Sequence, residues 1–364
     1  MTLRVLENFA GIGTQRMALE NLGIEHEVVG ITEIDKFAIK SYEAVHGEVN
    51  NLGDISLVDP NDVPDHDLFT YSFPCQDISV AGKGKGFEKG SNTRSGLLWE
   101  CEKVIRAKKP KYLLMENVKN LVSKKFLPGF EEWLTALEEL GYTNYWQVLN
   151  AKDFGIPQNR ERVFCVSVLG EHDPYEFPEK ETLELRLKDI LEDEVDEKFY
   201  LDDGKASKLI FDIGKTQIGY IPYTSDGKQH QSNTVYNQNN ISPTLSATDY
   251  KSPKKILVKN NTKQGYVEAT DGDGVDLAFP NSNTRRGRVQ KDLAQTLDTK
   301  DSKGVVENLR IRKLTPKECW RLMGISDDDF EKAQEVNSNT QLYKQAGNAI
   351  VVDVLEAIFT NMFK

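Results

Sequence analysis

The chain has 364 residues, 57 of them acidic and 46 basic, for a formal net charge of −11. That length supports a large core and two domains, and no apolar run approaches the roughly 20 residues that a membrane-spanning helix needs. The acidity argues against a uniformly basic nucleic-acid binder, but it is uneven: residues 171–200 hold 12 acidic and 4 basic side chains, whereas 201–310 hold 13 and 16, so the second region can face phosphates.

In chain order, Met1-Thr2-Leu3-Arg4-Val5 enters a strand pattern at once, without the apolar segment and cleavage site of a signal peptide, which predicts a cytoplasmic protein. Residues 3–170 alternate short apolar runs with amphipathic stretches, the pattern of an α/β fold with a parallel sheet. Strands are expected over 3–8, 27–32, 67–72, 111–116, 143–149 and 163–168, and helices over 14–22, 36–46, 96–108 and 129–140. In the last of these, Phe130, Trp133, Leu134, Leu137 and Leu140 share one helical face. Residues 171–200 read as an acidic connector with a short helix around Leu183–Leu191. From 201 to 307 the chain turns to Gly, Asn, Ser, Thr, Asp and Lys, which predicts a loop-rich second domain. A weak repeat sets Pro243–Asp249 against Gln295–Asp301, each with a Thr-Leu pair; two similar turns would read the same way. Thr315 is a good N-cap with Pro316 at the first helical position, and a final helix is expected over Ala346–Phe363. The α/β texture has returned there. The predicted organisation is therefore one unit from 1–180 and 308–364, a connector at 181–200 and an inserted domain at 201–307.

The four cysteines, Cys75, Cys101, Cys165 and Cys319, form no Cys-x-x-Cys pair and no zinc spacing. Free thiols and no metal site are expected, with Cys75 set apart from three core residues by its polar, glycine-rich flank. Asn8-Phe9-Ala10-Gly11-Ile12-Gly13-Thr14 carries a strand into a glycine turn and a helix start, where backbone can approach a ligand closely. A plain tight turn would look alike. Glu33, however, follows the next strand about twenty residues on, where a ribose-binding carboxylate belongs, and Asp54 could contact an adenine amino group. The three segments together predict a nucleoside cofactor site.

Cys75 lies in Phe73-Pro74-Cys75-Gln76, just past the apolar run Leu68–Ser72. Glu116 and Asn117 close the run Tyr112–Met115, and Arg160 and Arg162 lie in Gln158-Asn159-Arg160-Glu161-Arg162. Singly, these are a structural cysteine, a capping glutamate and a surface arginine pair. Together, at strand ends, they can attack, protonate and hold a pyrimidine ring. Carbon 6 of cytosine is a poor electrophile, so attack needs a thiolate and relief of ring charge. A free thiol, with a pKa of ~8.5, is only a few per cent thiolate at neutral pH. Glu116 would take up charge at ring N3 and Arg162 would hold O2. The chemistry indicated is methylation of cytosine at carbon 5. Between Gln76 and Arg94 the chain is glycine-rich and basic, which suits a mobile loop closing over DNA phosphates.

Phe-x-Gly-x-Gly, Pro-Cys-Gln, Glu-Asn-Val, Gln-x-Arg-x-Arg and Gly-Asn, in this order, resemble the motifs of the DNA (cytosine-5)-methyltransferases of bacteria and their phages, of the small single-chain restriction-modification type. The resemblance covers 3–170 and 308–361. It implies a Rossmann-like, S-adenosylmethionine-dependent sheet with helices on both faces, and a target-recognition domain over 201–307. It implies Cys75 as the nucleophile on carbon 6, Glu116 at N3 and the amino group, Arg162 at O2, and Arg160 in support of the loop. Phe9, Gly11, Gly13, Glu33, Asp54, Leu98, Asn348 and Ile350 would hold S-adenosylmethionine. Gln76, Ser79 and Arg94 would meet DNA from the catalytic loop. Gln231, Tyr236 and Thr244 match the family's segment at the extruded nucleotide, with Gln231 filling the vacated stack, and Thr296, in the second Thr-Leu segment, would also meet DNA.

Three departures stand out: Ile34 where an aromatic is common, Thr14 where a third glycine is common, and Ser72 where glycine is frequent. None is expected to touch the chemistry. The implied partner is double-stranded DNA, met by a monomeric, cytoplasmic, nucleoid-associated enzyme without membrane or metal. The target sequence, the bacterial or phage source and the presence of a cognate restriction endonuclease stay open. A tRNA-methylating branch shares the motifs, and against it the hundred-residue insertion favours duplex DNA. A silent DNA-binding relative would have lost Cys75, Glu116 or Arg162, and a small-molecule methyltransferase would leave the insertion without a purpose.

Overall fold

A computed structural model describes residues 2–78, 86–87, 89–90, 93–209, 218–220, 234–236, 256–282, 284–307 and 310–363. The first part runs β1 (Leu3–Asn8), α1 (Thr14–Asn21), β2 (His26–Thr32), α2 (Lys36–His46), β3 (Leu68–Tyr71), α3 (Leu98–Lys108), β4 (Tyr112–Val118), α4 (Leu127–Glu138), β5 (Tyr142–Asn150), β6 (Gln158–Asn159) and β7 (Glu161–Leu169). Each expected strand and helix is present, with ends displaced by a residue or two. The six-stranded sheet has the order β2-β1-β3-β4-β7-β5.

Alternation along the strands builds two cores. Val5, Leu68, Leu114 and Val166 point to one face, and their chain neighbours Leu6, Phe69, Leu113 and Cys165 point to the other, as a period of two requires. The first face packs against α1 and the C-terminal helices, the second against α3 and α4. Helices thus cover both faces, the arrangement expected of a largely parallel sheet. Cys101, Cys165 and Cys319 are buried and Cys75 is half-buried, all as free thiols.

The sheet is not wholly parallel. β1 to β4 run parallel, but β7 is antiparallel to both β4 and β5. The Ala151–Arg160 connection between β5 and β7 is too short for a parallel crossover, so the chain turns back on itself.

After β7 the structure departs from a simple connector. The helix expected around Leu183–Leu191 is a single 3-10 turn, Leu187–Ile190, whose end residues join the first core. The second part comprises α5 (Asp203–Leu209), β8 (Ile218–Tyr220), β9 (Thr234–Tyr236), β10 (Ile256–Lys259), β11 (Tyr266–Ala269), β12 (Gly274–Asp276), β13 (Val289–Gln290), β14 (Ala294–Gln295), β15 (Lys303–Glu307) and β16 (Arg310–Lys313). Strands β13-β12-β15-β16 form an antiparallel sheet, so the boundary expected at 307/308 falls inside the β15–β16 hairpin. β14 leaves that sheet and pairs in parallel with β6, Ala294 beside Gln158 and Gln295 beside Asn159.

The chain closes with α6 (Pro316–Arg321), α7 (Asp327–Val336), α8 (Asn339–Asn348) and α9 (Val352–Met362). Thr315 caps α6 in a reciprocal box with Glu318, and Pro316 takes the first turn as expected. The single helix expected over Ala346–Phe363 is two helices: Gly347-Asn348 ends α8 rather than opening the last helix, and Ala349–Val351 are extended. Ile350, Val351 and Val352 form a β-branched run, poor in helix propensity. No helix among the described residues is long and apolar enough to cross a membrane.

One buried ion pair joins the two parts. Arg312 of β16 meets both Glu318 oxygens at 2.8 Å and Glu307 at 2.9 Å, with both Arg312 and Glu318 side chains fully buried. Removing one partner strands a charge in the interior. Arg312→Met is therefore expected to lower the unfolding free energy by ~3–5 kcal/mol in denaturant titration; a loss under about 1 kcal/mol would give the pair only the weight of a surface contact.

Candidate active site

The sheet presents the carboxyl ends of β1, β3 and β4 and the start of antiparallel β7 on one edge, where open α/β sheets bind ligands. A single cavity of about 680 Å³ opens there, within the ~300–1,000 Å³ span of small-molecule sites. Its wall brings together Cys75, Gln76, Arg94, Glu116, Arg160 and Arg162 with Phe9, Gly11, Glu33, Asp54, Asn348 and Ile350.

Cys75 follows β3 in a tightly held turn. Asn117 donates to the Phe73 carbonyl at 2.9 Å, and Ser95 donates to the Pro74 carbonyl and accepts from the Asp77 amide. Asp77 in turn accepts from the amides of Arg94 and Ser95. Sequence reading passed over Asn117, Asp77 and Ser95. Only Asn117, inside the Glu-Asn-Val motif, carried a local signal.

Glu116 and Arg162 meet because of register. Arg162 opposes Val118 in the β4–β7 ladder, two residues past Glu116, so the two side chains face the same way as diagonal neighbours. Arg162 Nε lies 3.2 Å from Glu116 Oε1. Ser72, immediately past β3, donates to Glu116 Oε2 at 2.5 Å. This departure, expected to stay away from the chemistry, binds the Glu116 carboxylate through its hydroxyl. Burial and the neighbouring Glu116 charge push the Cys75 thiol above its ordinary range, while Arg162 and Arg160 pull it down.

Arg160 differs from Arg162. It is 3% exposed and donates to the carbonyls of Leu297 at 3.2 Å, Gly347 at 3.0 Å and Ala349 at 2.8 Å. Burial lowers its pKa to about 9. Among the described residues its partners are the α8–α9 break and the stretch after β14; much of the loop expected to need its support lies outside them. Thr296 sits in the same junction, its hydroxyl donating to the Asn159 carbonyl at 2.7 Å, and Gln158 accepts from the Leu297 amide and donates to the Leu322 carbonyl.

In the other half of the cavity, Phe9 and Gly11 both have left-handed backbone, with φ of 56° and 59°, and the space beside Gly11 is open where a side chain would stand. Gly13 faces away: a Cβ there would lie 2.6 Å from the Tyr42 ring, so this glycine lets the turn pack on α2. Glu33 accepts from the amides of Gly11, Ile34 and Asp35, leaving about one of its roughly four acceptor positions for a ligand. Asp54 bonds Ser56 and still lines the cavity. Ile34 is 72% exposed at its mouth, and Thr14 lies on its wall. Leu98 is wholly buried in the second core; its neighbour Leu97 reaches the wall instead, because a 3-10 turn over Ser95–Leu97 precedes α3.

Arg94 reaches Gln76 at 2.9 Å, linking the two ends of the glycine-rich segment. Ser79, Gln231, Thr244 and the first Thr-Leu copy lie outside the described residues, and Tyr236 is described only as part of β9. Among the described residues no cluster of three or more His, Cys, Asp or Glu could hold a metal ion.

The family model described as C-5 cytosine-specific DNA methylase matches residues 3–364. The type II methyltransferase M2.ScrFI of Lactococcus lactis subsp. cremoris is 39% identical, with 100% of this chain and 99% of that protein covered. The orphan methyltransferase M.SPRI of Bacillus phage SPR is 34% identical, with 99% and 97% covered. Among solved structures, a DNMT2 mutant from Spodoptera frugiperda superposes with a TM-score of 0.62 at 18% identity over 100% of both chains, a likeness of fold.

The thiol's surroundings give a pH test. Burial and then the Glu116 charge raise the Cys75 pKa and Arg162 opposes them, so removing the carboxylate charge favours the thiolate. In Glu116→Gln the half-maximal pH for alkylation of Cys75 is expected to fall, and in Arg162→Ala to rise. An unchanged profile in both would mean that neither charge reaches the sulfur.

Proposed function

The chain belongs to the C-5 cytosine-specific DNA methylase family, and we propose that it transfers a methyl group from S-adenosylmethionine to carbon 5 of a cytosine extruded from duplex DNA, through a covalent Cys75–C6 adduct. The observation that carries this reading is the convergence of Cys75, Glu116 and Arg162 on one cavity that also contains the glycine turn and Glu33.

The residues present suit the cofactor. The open space at Gly11, the spare acceptor position on Glu33 and the neighbouring Asp54 fit a nucleoside bearing hydroxyl and amino donors. Phe9, Gly11, Glu33, Asp54, Asn348 and Ile350 would hold it, with Gly13 shaping the turn from behind. S-adenosylmethionine supplies an electrophilic methyl group there.

Protein groups do the rest. The Cys75 thiolate forms a bond to carbon 6, and the C5–C6 π electrons move toward carbon 5. Glu116 shares a proton with N3, so charge does not accumulate on the ring, and Arg162 holds the O2 carbonyl by a charge-assisted hydrogen bond. After methylation, loss of the carbon 5 proton restores the double bond and expels the Cys75 thiolate. Burial and the Glu116 charge favour the protonated thiol, and a ring that shares a proton with Glu116 lowers that charge and eases formation of the thiolate. Gln76, Ser79 and Arg94 would approach the DNA from the catalytic segment and Gln231, Tyr236 and Thr244 from the inserted part, while Thr296 braces the junction. We read the enzyme as a monomer of the bacterial or phage-infected cytoplasm.

Bisulfite sequencing of unmethylated plasmid after incubation with protein and S-adenosylmethionine is expected to show protected cytosines in one short context, and none with Cys75→Ala. Protection by Cys75→Ala would refute the nucleophile. No protection with the natural chain, but transfer to tRNA, would move the substrate to RNA.

A further inference from the structure

Ser72 is the residue whose surroundings demand most explanation. Register puts it there: β3 and β4 run parallel with Tyr71 beside Met115, so the next residue on each strand brings Ser72 beside Glu116. Its hydroxyl donates to Oε2 at 2.5 Å, while Arg162 Nε stands 3.2 Å from Oε1. Each oxygen of Glu116 thus has its own partner, on opposite sides of a carboxylate that is only 6% exposed. Ser72 lines the same cavity as Cys75.

On the reading that Glu116 shares a proton with the ring, we propose that Ser72 is a positioning residue for it: the hydroxyl fixes the rotation of the carboxyl group so that an oxygen meets N3 as Cys75 adds to carbon 6. A glutamate side chain has several rotatable bonds, and ordering it costs conformational entropy. Arg162 alone grips one oxygen and leaves the carboxylate free to swing about that contact. The second contact removes this freedom before substrate arrives. Proton sharing depends on hydrogen-bond alignment, so the benefit is felt in the chemical step and little in binding. Glycine, which resemblance places at this position in relatives, offers no such donor.

Single-turnover methyl transfer to duplex DNA at saturating cofactor tests the role, with Ser72→Ala and Ser72→Gly removing the hydroxyl and Ser72→Thr keeping it. Loss of one hydrogen bond to a charged group corresponds to roughly a 10- to 100-fold slower step. The expected result is that loss in both the alanine and glycine variants, with DNA affinity unchanged within about twofold and the threonine variant substantially restored. Exchange of the carbon 5 hydrogen with solvent, followed without cofactor, is expected to slow in parallel, because it starts from Cys75 addition with N3 protonated; a solvent proton then joins carbon 5, the original one leaves and the thiolate is expelled. A step unchanged in both alanine and glycine variants overturns the proposal, as does a threonine variant as slow as they are, which would assign the loss to packing. If the natural chain itself transfers no methyl group to DNA, the function reading fails instead, so the two failures are distinct.

Discussion

The cavity depends on one buried cation. Arg160 is taken out of water and, among the described residues, has no direct ion pair; it is held by three backbone carbonyls, from Leu297, Gly347 and Ala349. A buried charge tolerates the interior only while its donors are satisfied. Three distant parts of the chain are thereby fixed at one point: the turn into β7, the stretch after β14 and the break between α8 and α9. That break is what brings Asn348 and Ile350 to the cavity. A continuous helix would hold the Gly347 carbonyl within its own ladder and withdraw it from the guanidinium.

Next to this clamp, two residues along an extended chain, Arg162 has the opposite task. It turns its Nε to Glu116, while its Nη1 donates to the neighbouring Glu161 carbonyl at 2.8 Å. Cys75, Glu116 and the two arginines form a small set of charges whose balance sets the thiol. The resting balance holds the sulfur neutral. Whatever lowers the negative charge on Glu116 also eases ionisation of Cys75, so thiol and carboxylate are linked through the field rather than through a bond. An isolated thiol therefore gains little by being in the cavity until the cavity is filled.

Much of this was legible in the sequence. Strands and helices up to residue 169 followed from periodicity, because alternation and helical spacing are local properties. The direction of β7 was not, since an apolar run reads the same in either sense, and the shortness of the β5–β7 connection was the only available sign. Leu98 and Leu97 exchanged places for a similar reason: a single turn of 3-10 helix at Ser95–Leu97 rotates the faces that follow. Ser72 looked inert because its partner lies 44 positions away in sequence, and only the register of β3 on β4 shows them to be neighbours. The carbonyl partners of Arg160 were not foreseen because they come from segments that no motif spacing connects. The second Thr-Leu segment, whose particular role the sequence left open, is found at the β6–β14 junction.

That junction has a consequence for how such enzymes can exchange parts. β14 lies in the stretch read from sequence as an insertion, yet its ladder with β6 and the contact of Arg160 with Leu297 tie it to the part that carries the cavity. A Cβ on Gly347 would lie 2.2 Å from the Asp298 carbonyl oxygen, so the fit there is close enough to reject a foreign backbone path. In a chimera that borrows another relative's recognition segment, the seam therefore belongs upstream of Ala294, and the stretch through Asp298 travels with its own catalytic partner. The unit of inheritance is shorter than the insertion.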